Sequence, residues 1–124
     1  MSTDDRVKGY IGRMDEHCHR IAFTMHRFGN DFTSFDNDYD YQSSVLFNLQ
    51  QIGENAKMIR PWLSENSTYD WNPVCGFRDF IAHNYARVEN RIIWKILTED
   101  FPTMMNEIFR LKSLLRVPEI GFRR

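Results

Sequence analysis

Arg78 and His83 stand five residues apart in the stretch Arg78-Asp79-Phe80-Ile81-Ala82-His83-Asn84-Tyr85. Together they carry side chains able to cleave a phosphodiester without a metal. An imidazole titrating near pH ~6.5 can take a 2′-hydroxyl proton or protonate a leaving oxygen. A guanidinium can clamp the phosphate through paired hydrogen bonds and stabilise the charge that develops on it. One Arg and one His are sparse for a reaction that needs both an acid and a base, and a symmetric dimer would supply two of each. Asp79 and His83, four residues apart, also read as an ordinary exposed helix pair worth about 0.2–0.5 kcal/mol. Spacing alone leaves both interpretations open.

The element that must position these groups is a helix predicted from Asn72-Pro73, read as an N-cap and a first-turn proline, through about Tyr85. At about 100° per residue, Val74, Phe77 and Ile81 form its apolar stripe, with Arg78 on the edge. Asp79, Ala82 and His83 fall on the far side, His83 about 140° from the stripe's centre. Its own helix therefore does not bury His83.

Around that helix the chain predicts a bundle. Val7, Tyr10, Ile11, Met14, Cys18, Ile21, Ala22, Met25 and Phe28 form a helical stripe over 5–28 that Gly29-Asn30 stops. An acidic, turn-rich stretch follows, with Phe32 and Phe35 expected to pin it to the core. A second helix is predicted from Asp36–Asp38 to about Arg60, ended by Pro61, on a seam of Val45, Leu49, Ile52, Ala56 and Ile59. Gly53 inside that seam costs about 1 kcal/mol against Ala; a close helix approach and simple tolerance both explain it. Residues 63–70 read as a loop. A fourth helix is expected around Glu89–Leu97, and Thr98 reads as the cap of a last helix bearing Phe101, Met104, Met105, Ile108, Leu111 and Leu115. No segment alternates with period two for long enough to make a strand. The expected fold is all-α, an up-and-down bundle of four to five helices. It forms one domain over 1–124, with a core of about 6–115 and a short basic C-terminal tail.

Composition narrows the function classes. In 124 residues, 42% hydrophobic and 15% aromatic content is enough for a real core and excludes a disordered chain. Sixteen Lys and Arg against seventeen Asp and Glu leave a net charge of -1, so any nucleic-acid contact must be local. Arg87, Arg91 and Lys95, or Arg116, Arg123 and Arg124, are candidates for a local basic rim and equally read as a solvated face. Cys18 and Cys75 lack a metal or redox spacing and read as reduced core thiols. The acidic start Met1-Ser2-Thr3-Asp4-Asp5 is unlike a signal peptide, and no apolar run approaches the roughly 20 residues needed to cross a bilayer. A cytoplasmic protein without membrane association is the expectation.

Glu16-His17-Cys18-His19 with His26 has the E-x-x-H spacing of di-iron bundles, but a second such pair is missing, because Phe80 precedes His83 by three. Zinc would need three or four converging ligands. These residues are expected in solvated or capping roles, with no metal and no cofactor. Trp62, Trp71 and Trp94 read as core and interface anchors, and Met104-Met105 as fillers of the core.

The octet at 78–85 resembles the R-x4-H-x-Y motif of the HEPN superfamily, specifically the HepT-like toxins of toxin–antitoxin pairs. The likeness extends to Phe35, Asp38 and Gln42, to Ile52-Gly53-Glu54-Asn55-Ala56-Lys57 beside an I-G-E-x-A-K signature, and to Trp71, Gly76-Phe77, Trp94 and Phe101-Pro102. It spans about residues 6 to 115. Asn55 stands where the family favours alanine, and Glu89 where aspartate is common. The resemblance implies a homodimer whose two motifs meet in a cleft and cleave RNA without metal. Arg78 would then polarise the phosphate and His83 would transfer protons, with Asp79 supporting one or the other. Tyr85 matches the tyrosine that a minimal nucleotidyltransferase antitoxin modifies with AMP. The alternative is a non-catalytic nucleotide- or partner-binding helical module working with a nucleotidyltransferase, in which Arg78 and His83 only hold phosphate.

Overall fold

The computed structural model describes residues 2–84 and 89–117. Every regular element within them is helical, in accord with the all-α expectation. Helix α1 (Thr3–Phe28) starts where the Ser2 hydroxyl accepts the Asp5 amide and ends at Gly29, whose φ of 115° only glycine adopts cheaply. Short α2 (Phe32–Asp36) is capped by Asp31, and α3 (Tyr39–Lys57) by Asp38, which accepts the Asp40 and Tyr41 amides. Next come α4 (Arg60–Asn66), α5 (Asn72–Cys75), α6 (Phe77–Asn84), α7 (Asn90–Lys95), a π-helical turn (Ile96–Asp100) and α8 (Phe101–Leu115).

The stripe of α1 is buried at Val7, Ile11, Met14, Cys18 and Ile21, and faces Val45, Leu49, Ile52 and Ala56 of α3 and Met104, Ile108 and Leu111 of α8. Each Val, Leu, Ile or Met side chain among them contributes about 1.5–3 kcal/mol of transfer free energy. Phe35 pins α2 to this core, fully buried edge-on against Tyr41, whose hydroxyl donates to the Gly29 carbonyl at 3.1 Å. Phe32 lies nearer the surface. One ion pair sits inside: Lys112 Nζ meets Asp15 Oδ2 at 2.8 Å, both residues buried, with His19 Nε2 3.4 Å from the other Asp15 oxygen. Cys18 and Cys75 are buried free thiols, and burial pushes the Cys18 thiol pKa up. Trp71 is buried, while Trp62 and Trp94 are partly covered.

Five expectations differ from the structure. The second long helix stops at Lys57, not Arg60, and Pro61 opens α4 because a first-turn residue needs no amide hydrogen. The expected loop at 63–70 is therefore helical through Asn66. Asn72 does not cap: it lies inside α5 after Trp71, while Asp70 Oδ1 accepts its amide at 3.1 Å. The expected single helix over 72–85 is broken at Gly76 into α5 and α6. Thr98 is not a cap either. Its hydroxyl donates back to the Trp94 carbonyl at 2.9 Å within a continuous helical run. There the Phe101 amide reaches Ile96, five residues back, and Pro102 withholds an amide one position later. Among the described residues, no helix is long and apolar enough to cross a membrane.

Candidate active site

The α5–α6 corner holds the candidate groups, and two contacts fix it. The first is Gly53 of α3: a Cβ built there would lie 2.0 Å from the Val74 carbonyl oxygen and 2.9 Å from its carbon. Bare backbone on α3 thus lets α5 lie directly against it, which decides for close approach over tolerance. The second is a polar knot before α5. The Trp71 indole donates to Ser67 Oγ at 3.0 Å, and Ser67 donates to Glu107 of α8. Arg110 clamps Glu107 at 2.7 and 2.9 Å and donates to the Asn66 carbonyl at 2.8 Å. Arg110, then Ser67, hold the Glu107 carboxyl below the usual carboxylate range against the opposing effect of burial.

From this anchor, buried Phe77 plugs α6 into the core and α6 carries its next residues outward. Arg78, Asp79 and His83 are all exposed, and Phe80 is 40% exposed beside them. The Arg78 guanidinium lies 3.4 Å from Glu54 Oε1 of α3, its side chain still 65% exposed. On the other side of the same carboxylate, Lys57 Nζ stands 3.0 Å from Oε2. Lys57 first, with Arg78 adding to it, holds the Glu54 carboxyl below its ordinary range. In the sequence Glu54 and Lys57 stand only as parts of the I-G-E-x-A-K-like stretch; the Gly53–Val74 contact is what brings them beside the motif helix.

His83 Nδ1 lies 2.8 Å from the main-chain carbonyl of Asp79. A carbonyl oxygen can only accept, so Nδ1 carries the hydrogen, and Nε2 is the nitrogen that holds the lone pair when the ring is neutral. The backbone of Asp79 thereby sets the imidazole's tautomer. Arg78 and His83 are about 7.5 Å apart along the helix axis and point about 140° apart around it. The two groups therefore do not converge within one chain by helix geometry alone. Tyr85 lies outside the described residues, as do Arg87, Arg123 and Arg124.

The other candidates are drawn elsewhere. Arg91 stacks its guanidinium over the Phe32 ring at 4.4 Å, and Lys95 is 3.9 Å from Glu99. His17 Nδ1 meets Asn48 at 2.8 Å, Glu16 pairs with Arg20 at 2.8 Å, and His19 faces Asp15. Among the described residues, no three His, Cys, Asp or Glu side chains are grouped so as to hold a metal.

Comparison with known proteins gives the chain its place. The model of the family "Ribonuclease HepT-like" matches residues 10–111. The chain is 28% identical over 89 residues to a "Putative RNase" of Methanocaldococcus jannaschii, covering 64% of this chain and 82% of that protein. It is 29% identical over 83 residues to the "Probable ribonuclease HepT" of Thermococcus cleftensis, covering 66% and 76%. A "Putative RNase" of Caldanaerobacter subterraneus is 27% identical over 81 residues, covering 64% and 72%. No solved structure matches. With the family model spanning most of its length and the α5–α6 corner lying inside that span, the chain belongs to the HepT-like ribonuclease family.

Proposed function

We propose that the protein is the toxin of a toxin–antitoxin pair and cleaves RNA without a metal, at a composite site built by two copies of the chain. The observation that carries this reading is the pose of His83: a surface imidazole locked through Nδ1 with Nε2 open to an incoming group. Nε2 takes the 2′-hydroxyl proton, and the 2′-oxygen attacks the adjacent phosphorus. The 5′-oxygen then leaves with a proton from a second, protonated imidazole, producing a 2′,3′-cyclic phosphate and a 5′-hydroxyl. Arg78 neutralises charge on the non-bridging oxygens as it builds.

One chain supplies one imidazole and one guanidinium that diverge around α6, so acid, base and clamp are complete only when a second copy faces the first. Phe80, exposed on the same helix, offers an apolar contact for that copy. Tyr85, two residues past His83, is the proposed acceptor of AMP from a nucleotidyltransferase antitoxin. An added phosphate and adenosine there would repel and obstruct RNA.

The test is cleavage of single-stranded RNA by purified protein in EDTA, with Arg78→Ala and His83→Ala alongside. Wild type should cut and both variants should lose at least about 100-fold in rate, the usual size of a lost proton-transfer group. Variants that cut as fast as wild type would remove these two residues from the mechanism.

A further inference from the structure

The two cations on the Glu54 carboxylate are arranged unusually for a surface ion pair. Arg78 approaches Oε1 at 3.4 Å from α6, while Lys57 approaches Oε2 at 3.0 Å from α3 itself. Oε2 is sealed from solvent, and the cation that meets it is Lys57 Nζ at 3.0 Å. Because all three side chains are partly exposed, the pairings are weak enough for a competing anion to displace. Both cations remain accessible, Lys57 with 36% and Arg78 with 65% of the side chain exposed. The geometry between them is rigid, because Gly53, the residue before Glu54, is seated on the Val74 carbonyl four residues before Arg78.

We propose that Lys57 is a second phosphate-binding cation of the RNA site, converging with Arg78 on the anion whose place the Glu54 carboxylate holds in the RNA-free protein. The inference rests on the ribonuclease reading above and extends it. Two positive groups from different helices, focused on one carboxylate, present the charge and spread of donors that a phosphodiester requires. The cluster of Glu54, Lys57 and Arg78 carries a net positive charge in a chain of overall charge -1, so it is a local rather than global attraction for RNA. When RNA binds, the phosphate takes over both cations and Glu54 turns toward solvent. Glu54 thus keeps the two side chains gathered while the site is empty and competes weakly with substrate.

Binding can be read separately from cleavage. In a His83→Ala background, anisotropy of a labelled single-stranded RNA is followed across a salt series, with Lys57→Gln, Arg78→Gln and Glu54→Gln added singly. Each lost phosphate contact should reduce the slope of log affinity against log salt by about 0.7, so Lys57→Gln and Arg78→Gln should both do so. Glu54→Gln should tighten binding roughly two- to fivefold, the size of a partly exposed ion pair that no longer has to be broken. Arg20→Gln is the control for non-local charge: Arg20 pairs with Glu16 on α1, one turn before Thr24, which meets Ser44 toward the far end of α3. It should leave the slope unchanged.

An unchanged slope for Lys57→Gln beside a reduced one for Arg78→Gln would overturn the proposal and leave the ribonuclease reading standing. Should Lys57→Gln fail to fold, weaker RNA binding by Glu54→Gln would overturn it independently. If wild type neither binds nor cleaves RNA, both readings fall.

Discussion

Replacing Gly53 by alanine puts the α3–α5 contact under direct strain. The new methyl would sit 2.0 Å from the Val74 carbonyl oxygen, where ordinary van der Waals contact is 3.4–4 Å. The helices must part by about 1.4 Å, and the obstacle is backbone rather than a side chain that could rotate away. Overpacking of this kind costs about 1–3 kcal/mol, and the upper end applies here. Alanine returns about 1 kcal/mol in helix propensity, leaving a net loss of about 2 kcal/mol. For a domain of this size, that lowers Tm by roughly 6–10 °C. Thermal unfolding followed by circular dichroism measures it, with Gly9→Ala as the matched control. Gly9 has only the Arg13 guanidinium near 3.9 Å, so alanine there should be neutral or stabilising. Because Val74 lies four residues before Arg78, Gly53→Ala should also reduce RNA cleavage at temperatures where the protein is still folded. A Tm equal to or above wild type would refute the packing argument.

The buried pair at the α1–α8 contact and the Glu107 knot give two further predictions. Lys112→Met leaves the Asp15 carboxylate without its 2.8 Å partner and should cost about 3–5 kcal/mol in urea unfolding; adding Asp15→Asn should recover part of that loss. Glu107 has a folded pKa below its unfolded value, so its stabilisation is fully present above about pH 4.3 and is lost as pH falls through the folded pKa. Glu107→Gln should therefore be less stable than wild type at neutral pH, and the difference should shrink below pH ~4.3. Urea midpoints measured across that range check it, and a difference independent of pH would contradict the role given to the Arg110 and Ser67 contacts.

The parts of the fold legible in the sequence were those carried by repetition. The α1 and α3 stripes repeat over several turns, so their buried faces followed from period alone, and Gly29 with its following polar residues marked a real stop. Pro61 misled because proline fits a helix's first turn as readily as the residue after its end, and which applies depends on packing that a local window does not contain; Pro73 does sit in a first turn as read, and only the cap at Asn72 did not hold. The π turn before Pro102 was equally invisible, since no residue pattern tells the five-residue reach of the Phe101 amide to Ile96 from an ordinary helical turn. The outward placement of Asp79 and His83 came directly from the helical wheel, which put Arg78 only at the edge of the apolar stripe. Glu54 and Lys57 escaped as site residues because their proximity to Arg78 comes from a contact between Gly53 and Val74, twenty-one positions apart, and not from any local pattern.

The composite site is tested most directly by a heterodimer of one wild-type chain and one His83→Ala chain. The two proteins, carrying different affinity tags, are co-expressed, and the mixed dimer is purified through both tags. If base and acid are the two imidazoles of one shared centre, the mixed dimer should lose at least about 100-fold in rate on RNA in EDTA against the wild-type homodimer, although it keeps one intact chain. A mixed dimer that cleaves at about half the wild-type rate would contradict the shared site.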